Sequence, residues 1–266
     1  MSETKIAAKK QDITLEELLE AGVHFGHQVR RWNPKMAPYI YGARQGVHVI
    51  DLGASLEGLT RAMEFAEKLG SEGKTMVFVG TKKQAQDIVK TEASSVGASY
   101  MTERWVGGIL TNWDEVYKNI KRLRKLKAQK EEGEFKNLTK KEQLFIDRDI
   151  EGLTRSYGGV ETLDKIPNAV FVSDAHRETI ALKEANRTKV PVIAICDTNS
   201  DVRLVDYPIP GNDDAIKSLK ILTSKVARAY GQGRAMYEKN KADEAVKYEK
   251  NKVAEAAKLA KKEDVK

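Results

Sequence analysis

Three short runs in this chain are apolar at every position: Met76-Val77-Phe78-Val79, Ala169-Val170-Phe171-Val172 and Val192-Ile193-Ala194-Ile195. Unbroken apolarity of that length marks a strand covered on both faces. Between the runs the period becomes helical. Ser55 to Leu69 sets Leu56, Leu59, Met63 and Ala66 on one side and stops at Gly70 and Gly73. Lys82 to Val96 and Glu178 to Asn186 predict two further helices. Val47, Val49, Ile50 and Leu52 read as a first strand, and Ala98 to Met101 as a short third one. Asn212 is placed to cap a helix with Asp213 and Asp214 in its first turn, running to about Tyr230. Such alternation predicts an α/β fold: a doubly wound parallel sheet with right-handed crossovers and helices on both faces.

Two regions break the alternation. Thr14 and Glu17 form a capping-box pair that opens a short helix, Leu15 to Ala21. The arm that follows is interrupted by Gly22, Gly26, Pro34, Pro38, Gly42 and Gly46, with a hairpin across Tyr39 to His48. From Asn112 to Tyr157 there is no strand signal. Val116, Ile120, Leu123 and Leu126 line one helix, while a second opens with the Thr139–Glu142 pair and carries Leu144, Ile146, Ile150 and Leu153. Each stripe suits the other helix but not a large core, so an inserted, protruding antiparallel helical hairpin is expected. The expected division is therefore 1–110 with 159–232 as the sheet domain and its arm, and 111–158 as the hairpin. Residues 233–266 would be a charged tail, disordered or ordered only by a partner.

Composition narrows the class. The longest apolar stretch, Val190 to Cys196, is too short to span a bilayer and contains Pro191. No apolar leader opens the sequence, and Cys196 is the only cysteine, which excludes an internal disulfide and a Cys-based zinc site. A soluble intracellular protein is expected. The net charge of +7 and pI near 9.2 favour a polyanionic partner.

The distribution of that charge says more than its sum. Between Glu20 and Asp51 there is no carboxylate, although the chain has 39, yet Arg30, Arg31, Lys35 and Arg44 fall there. Phe25, Trp32, Tyr39 and Tyr41 are threaded among them. Cations that neutralise phosphates, next to rings that stack on bases, make a surface suited to RNA. The alternative is an arm whose aromatics pack on the protein's own core. A second acid-free run, Val116 to Lys130, carries Lys118, Lys121, Arg122, Arg124, Lys125, Lys127 and Lys130. It reads either as a phosphate-facing helix or as a solvated one whose like charges repel by a few tenths of a kcal/mol per pair.

Other constellations point to chemistry less well. Thr81 and Gln84 read as a cap pair, and Lys82 and Lys83 at that helix start form a candidate anion site. There is no Walker loop and no G-x-G-x-x-G after a strand. Asp174 and Asp197 follow buried strands and with Asp201 could hold magnesium, with His176 as an acid or base, but each also suits an ordinary turn. His24 and His27 could share a metal but lack nearby acidic or thiol ligands. A magnesium- or nucleotide-dependent enzyme and a protein-binding scaffold are the rival readings. No metal, cofactor, membrane or small-molecule substrate is expected.

Longer motifs go further. Ala21-Gly22-Val23-His24-Phe25-Gly26-His27-Gln28, Trp32-Asn33-Pro34-Lys35-Met36 and Tyr41-Gly42-Ala43-Arg44 resemble the opening signature of the family of the second protein of the bacterial small ribosomal subunit. Phe78 to Lys82, Arg104 to Trp113, Asp197-Thr198-Asn199 and Pro208 to Ile216 continue the resemblance in order, so it covers about residues 14 to 230. It implies a flavodoxin-like five-stranded sheet in the order two-one-three-four-five with a protruding hairpin. It further implies a structural, non-enzymatic role in the cytoplasmic small subunit, on its rRNA, near the messenger exit, supporting the docking of the first small-subunit protein. The residues carried forward for RNA are Arg30, Arg31, Trp32, Lys35, Arg44, Lys82, Lys83, Arg104, Asn112, Lys118, Lys121, Arg122, Arg124 and Lys125. Departures lie at Ser200-Asp201-Val202-Arg203 and Ala175-His176-Arg177, beside Asp197 and Asp174.

Overall fold

The computed structural model describes residues 13–263, with side chains described as far as Asp243. Helix α1 (Leu15–Glu20) opens it with the expected capping box: the Thr14 hydroxyl accepts from the Glu17 amide while the Glu17 carboxylate accepts from the Thr14 amide. Strands β1 (Phe25–Gln28), β2 (Ile40–Arg44) and β3 (Val47–Ile50) then form an antiparallel sheet in the order β1-β3-β2. β2 and β3 are the hairpin expected across Tyr39 to His48. Its loop residues Gln45 and Gly46 both have positive φ (52° and 78°), as a tight two-residue hairpin loop requires.

The remaining elements in chain order are α2 (Leu52–Ser71), β4 (Met76–Val79), α3 (Lys83–Ser95), β5 (Ser99–Met101), α4 (Trp113–Glu131), α5 (Lys140–Tyr157), β6 (Ala169–Val172), α6 (Thr179–Thr188), β7 (Val192–Cys196), β8 (Tyr207–Pro210) and α7 (Ile216–Glu263). The parallel sheet runs β5-β4-β6-β7-β8, which is the two-one-three-four-five order counted within the sheet. Its membership differs from expectation at both ends. Val47–Ile50 belongs to the arm, and its burial alternates as in a strand with one covered face, whereas β4, β6 and β7 are buried throughout. The fifth strand is β8, masked in the sequence by Pro208 and Pro210. Proline cannot donate to a ladder, and β8 is an edge strand that pairs on one side only.

Alternate strand residues feed two cores. Met76, Phe78, Phe171, Ile193, Ile195 and Ile209 pack with α2, α3 and α7 on one face. Val77, Val79, Val170, Val172, Ala194 and Cys196 pack with α6, the first half of α4 and Met36 of the arm on the other. Each fully buried Val or Phe contributes about 1.5–3 kcal/mol, so these two layers fix where every loop at the carboxyl edge of the sheet must sit.

α4 and α5 lie side by side in opposite directions, with Arg122 on Asp149, Lys130 on Asp147 and Asn119 on Tyr157. Val116, Ile120 and Leu123 of α4 are buried, whereas α5 buries none of its residues. At the other end, Asp213 and Asp214 precede α7 rather than forming its first turn: Asn212 Oδ1 accepts from the Asp214 and Ala215 amides, and the helix starts at Ile216. α7 does not stop near Tyr230. Where a disordered or partner-ordered tail was expected, its backbone continues as helix to Glu263. Beyond Gly233 the sequence has no Gly or Pro and is rich in Ala, Lys and Glu, all good helix formers. Arg234 ties this extension down by donating to the Val96 and Gly97 carbonyls.

Candidate nucleic-acid interface

The arm is fastened to the carboxyl edge of the parallel sheet through its backbone. The His27 amide donates to Thr198 Oγ1 (2.9 Å) and the Asn33 amide to the Thr198 carbonyl (2.7 Å). The Asn212 amide donates to the Val23 carbonyl (3.0 Å), and Met36 is fully buried. A methyl group at Gly26 would stand 2.5 Å from Thr198 Cγ2, so this close seating needs glycine. With backbone and Met36 turned inward, Arg30, Arg31, Trp32, Lys35 and Arg44 are left exposed. Among the described residues none of these four cations has a carboxylate partner; Arg30 is steadied only by Gln28 Oε1 at 3.0 Å. Trp32 is 40 % exposed and leans on His48, ring centroids 5.4 Å apart. Of the other arm aromatics, Tyr39 packs against the core while Phe25 and Tyr41 are exposed.

Lys82 is differently placed. Its ammonium lies 2.7 Å from Asp213, 2.6 Å from Asp214 and 3.5 Å from Asp174. Burial alone would lower its pKa, but the bonds to Asp213 and Asp214 carry it well above the ordinary lysine range. It is a structural cation and not a free phosphate ligand. Thr81 and Gln84 do not cap α3 either: the N-cap is Lys82, without a side-chain cap bond. The Thr81 amide and hydroxyl donate instead to buried Glu178, and Arg177 Nε donates to Thr81 Oγ1 (3.0 Å). Lys83 stays exposed at the helix start.

The acid-free run of α4 is neutralised from outside itself. Lys118 pairs with Glu115, Arg122 with Asp149, Lys127 with Glu161 and Lys130 with Asp147. Arg124 donates to the Glu161 and Leu163 carbonyls and to Asp164 (2.8 Å), so it pins the base of the helix pair. Lys121 sits over the Tyr117 ring, 4.4 Å from its centroid, and Lys125 is exposed without an ion-pair partner among the described residues. Exposed pairs such as Lys118–Glu115 are weak because solvent screens both charges, so a phosphate can compete with the acid. Arg104 and Asn112 are exposed at the two ends of the loop before α4.

Neither metal set weighed from the sequence is assembled. Asp201 is taken by Arg203 (2.6 Å). His27 from one set and Asp197 from the other instead meet Asp213, each bringing a ligand atom within 4.8 Å of the rest. His27 Nδ1 is 3.0 Å from Asp197 Oδ2, a bond that raises its pKa, and Asp213 Oδ2 is buried without a partner. Burial, with Asp174 and Asp197 nearby, pushes the Asp213 carboxyl up to about 7. These three residues could hold a divalent cation; the link between positions 27 and 213 has no sequence-local signal.

The motifs that build this arm and sheet edge also identify the chain. The family model described as Ribosomal protein S2 matches residues 18–233. The chain belongs to the ribosomal protein S2 family. It is 47% identical over 231 residues to the small ribosomal subunit protein uS2 of Roseiflexus sp. (strain RS-1), covering 87% of this chain and 88% of that one. It is 48% identical over 227 residues to the protein of that name from Dictyoglomus thermophilum, covering 85% and 92%. The match to the protein of Coprothermobacter proteolyticus is 48% over 222 residues, covering 84% and 83%. For an S2-family chain, the arm signature, the Gly80-Thr81-Lys82 turn and the Asp213-Asp214 turn are thus one connected structure: the edge where doubly wound enzymes bind ligands is filled by ion pairs and covered by the arm. Among the described residues no helix is long and apolar enough to cross a membrane.

Proposed function

We propose that this chain is a structural constituent of the small ribosomal subunit, acting in cytoplasmic translation by binding the small-subunit rRNA through phosphate and shape. The observation that carries this is the exposed, unpaired set Arg30, Arg31, Lys35 and Arg44 on an arm whose backbone is bonded to the sheet edge. A cation held on a fixed backbone loses less freedom on meeting a phosphate than one on a loose loop. Arg104, Lys83 and Lys125 extend the basic surface, and Trp32 is exposed enough to stack. The sheet unit (1–110 with 159–232) seats on folded RNA, and the helix pair (111–158) reaches a second stretch of it. Exposed Leu15, Leu19 and Tyr41 support a protein neighbour, among them the first small-subunit protein. The relatives' shared name, small ribosomal subunit protein uS2, agrees with this reading.

The test is binding of the full chain to a small-subunit rRNA transcript across a salt series. With about six phosphates engaged, affinity falls roughly a thousandfold between 50 and 200 mM salt. Reversing Arg30 and Arg31 together weakens binding far more than reversing Lys258 and Lys261. Equal losses from both pairs would reduce the interaction to unspecific charge.

A further inference from the structure

One carboxylate organises the whole loop before α4. Glu184, on α6, accepts from four donors lying more than seventy positions earlier in the chain: Gly108 N (2.8 Å) and Trp105 Nε1 (3.3 Å) on Oε1, Leu110 N (3.4 Å) and Thr111 Oγ1 (3.4 Å) on Oε2. The loop follows this anchor. Trp105, Ile109 and Leu110 are buried in the second core, and Gly108 turns with φ +94°. The Asn112 amide then donates to the Gly108 carbonyl (2.7 Å), so the first turn of α4 starts from the residue that Glu184 holds. Neighbouring Arg104 projects into solvent.

Arg104 forms one wall of a cleft of about 580 Å³ between the β5 edge and the helix pair; Lys90, Lys127, Lys130 and Arg155 line the same cleft. Lys127 and Lys130 are paired with Glu161 and Asp147, but among the described residues Lys90, Arg104 and Arg155 have no ion-pair partner. Glu103 and Glu151 line the cleft too, but three unpaired cations on three separate elements (α3, the loop after β5, and α5) outnumber them and suit the backbone of a nucleic acid, whose charges repeat along the strand. We propose that this cleft seats rRNA phosphates and that Glu184 is the positioning residue that sets its wall. Resting on the rRNA reading above, this gives Arg104's part of that basic surface a defined cleft, lined by no arm residue, and a residue that positions it. Glu184 does not itself touch RNA. It accepts the loop's N–H and O–H bonds and fixes where Arg104 and the start of α4 stand relative to Lys90 and Arg155.

The experiment compares wild-type chain with Glu184→Ala, Glu184→Gln and Arg104→Ala for binding to a small-subunit rRNA transcript, each across a salt series at a temperature far below unfolding. Glu184→Ala and Arg104→Ala each weaken binding about tenfold and make the salt slope shallower by about one. The double variant is no worse than either alone. Glu184→Gln, which keeps one acceptor oxygen, recovers part of the loss. A Glu184→Ala chain that melts earlier but binds with unchanged affinity and slope overturns the inference, because a purely structural residue behaves that way. Arg104 and Arg155 are exposed, so their double alanine variant folds; unchanged binding by that variant overturns the cleft even if Glu184→Ala does not fold. Wild-type chain that fails to bind overturns the rRNA reading itself, a separate result.

Discussion

The Lys82 ammonium stands 2.7 Å from the Asp213 carboxylate, 131 positions away in the sequence. That bond ties the turn after β4 to the turn after β8, across the carboxyl edge of the sheet. A lysine at a helix start, beside a strand turn, has the look of a phosphate ligand; here its phosphate is replaced by three of the protein's own carboxylates. Removing one partner of a buried pair leaves the other charge uncompensated, at a cost of about 3–5 kcal/mol. Lys82→Met therefore lowers the urea unfolding free energy by about that amount. Adding Asp213→Asn restores much of the loss. A single-variant effect below about 0.5 kcal/mol, typical of surface changes, would show that Lys82 is free for another ligand.

Arg124 and Lys125 are neighbours with opposite duties. Arg124 holds the Glu161 and Leu163 carbonyls and Asp164, while Lys125 faces solvent. Charge-assisted hydrogen bonds of this kind are worth about 1.5–3 kcal/mol each when buried and less at a half-exposed site. Arg124→Ala is expected to speed amide exchange across the base of α4 and α5. Lys125→Ala leaves exchange unchanged and, if the helix pair meets RNA, makes the salt slope of binding shallower by about one. The reverse assignment of these two effects would refute the division of labour.

Much of the fold could be read from short-range signals. The capping boxes at Thr14–Glu17 and Thr139–Glu142 form as their spacing implies, and β4, β6 and β7 coincide with the unbroken apolar runs. What could not be read depends on long-range partners. Apart from Glu115 at the start of α4 itself, the acids that neutralise α4 sit on α5 and in the 161–164 loop, so an acid-free window along the chain is not an acid-free surface. β8 hides behind its prolines because edge-strand status is a tertiary fact. The arm's cations could be found because their neutrality would have required nearby acids, and only Asp201, which feels the charge of Lys35 while bonded to Arg203, folds near them. Glu184 gave no signal: a lone glutamate in a helix reads as a solvated residue.

Glu178 makes stability depend on pH in a direction opposite to the usual carboxylate. Burial raises its pKa, against the bonds from Thr81 that favour the charged form. A raised folded pKa means that the fold binds the proton more tightly than the unfolded chain. Its stabilising contribution is complete below the unfolded value near 4.3 and is lost as pH rises through the folded value. Glu178→Gln is neutral at every pH and lacks this loss. The difference in unfolding free energy between wild type and Glu178→Gln should shift in the variant's favour as pH rises from about 4.3. A difference constant with pH would mean that folding leaves the Glu178 pKa where it stands in the unfolded chain.

The crossing of α2 and α7 supplies the sharpest packing test, because two opposed effects act on one residue. Gly233 lies on α7, where replacing glycine by alanine should gain about 1 kcal/mol from helix propensity. Its missing side chain, however, lets the Glu67 carbonyl approach so closely that a methyl group would fall inside contact distance of that oxygen and 2.8 Å from the Ser71 amide. Gly70 faces the same crossing from α2, 2.8 Å from the Arg234 amide by the same measure. Backbone atoms cannot swing aside as a side-chain tip can, so the helices must separate, which costs about 1–3 kcal/mol of overpacking. Clash should outweigh propensity, and Gly233→Ala is expected to lower the urea midpoint. Gly152 on α5 gives the control: a methyl group there meets nothing within 4 Å, so Gly152→Ala should gain close to the full propensity term. If both variants are stabilised alike, the helices do not cross as closely as described, and Arg234 would no longer be held at the Val96 and Gly97 carbonyls.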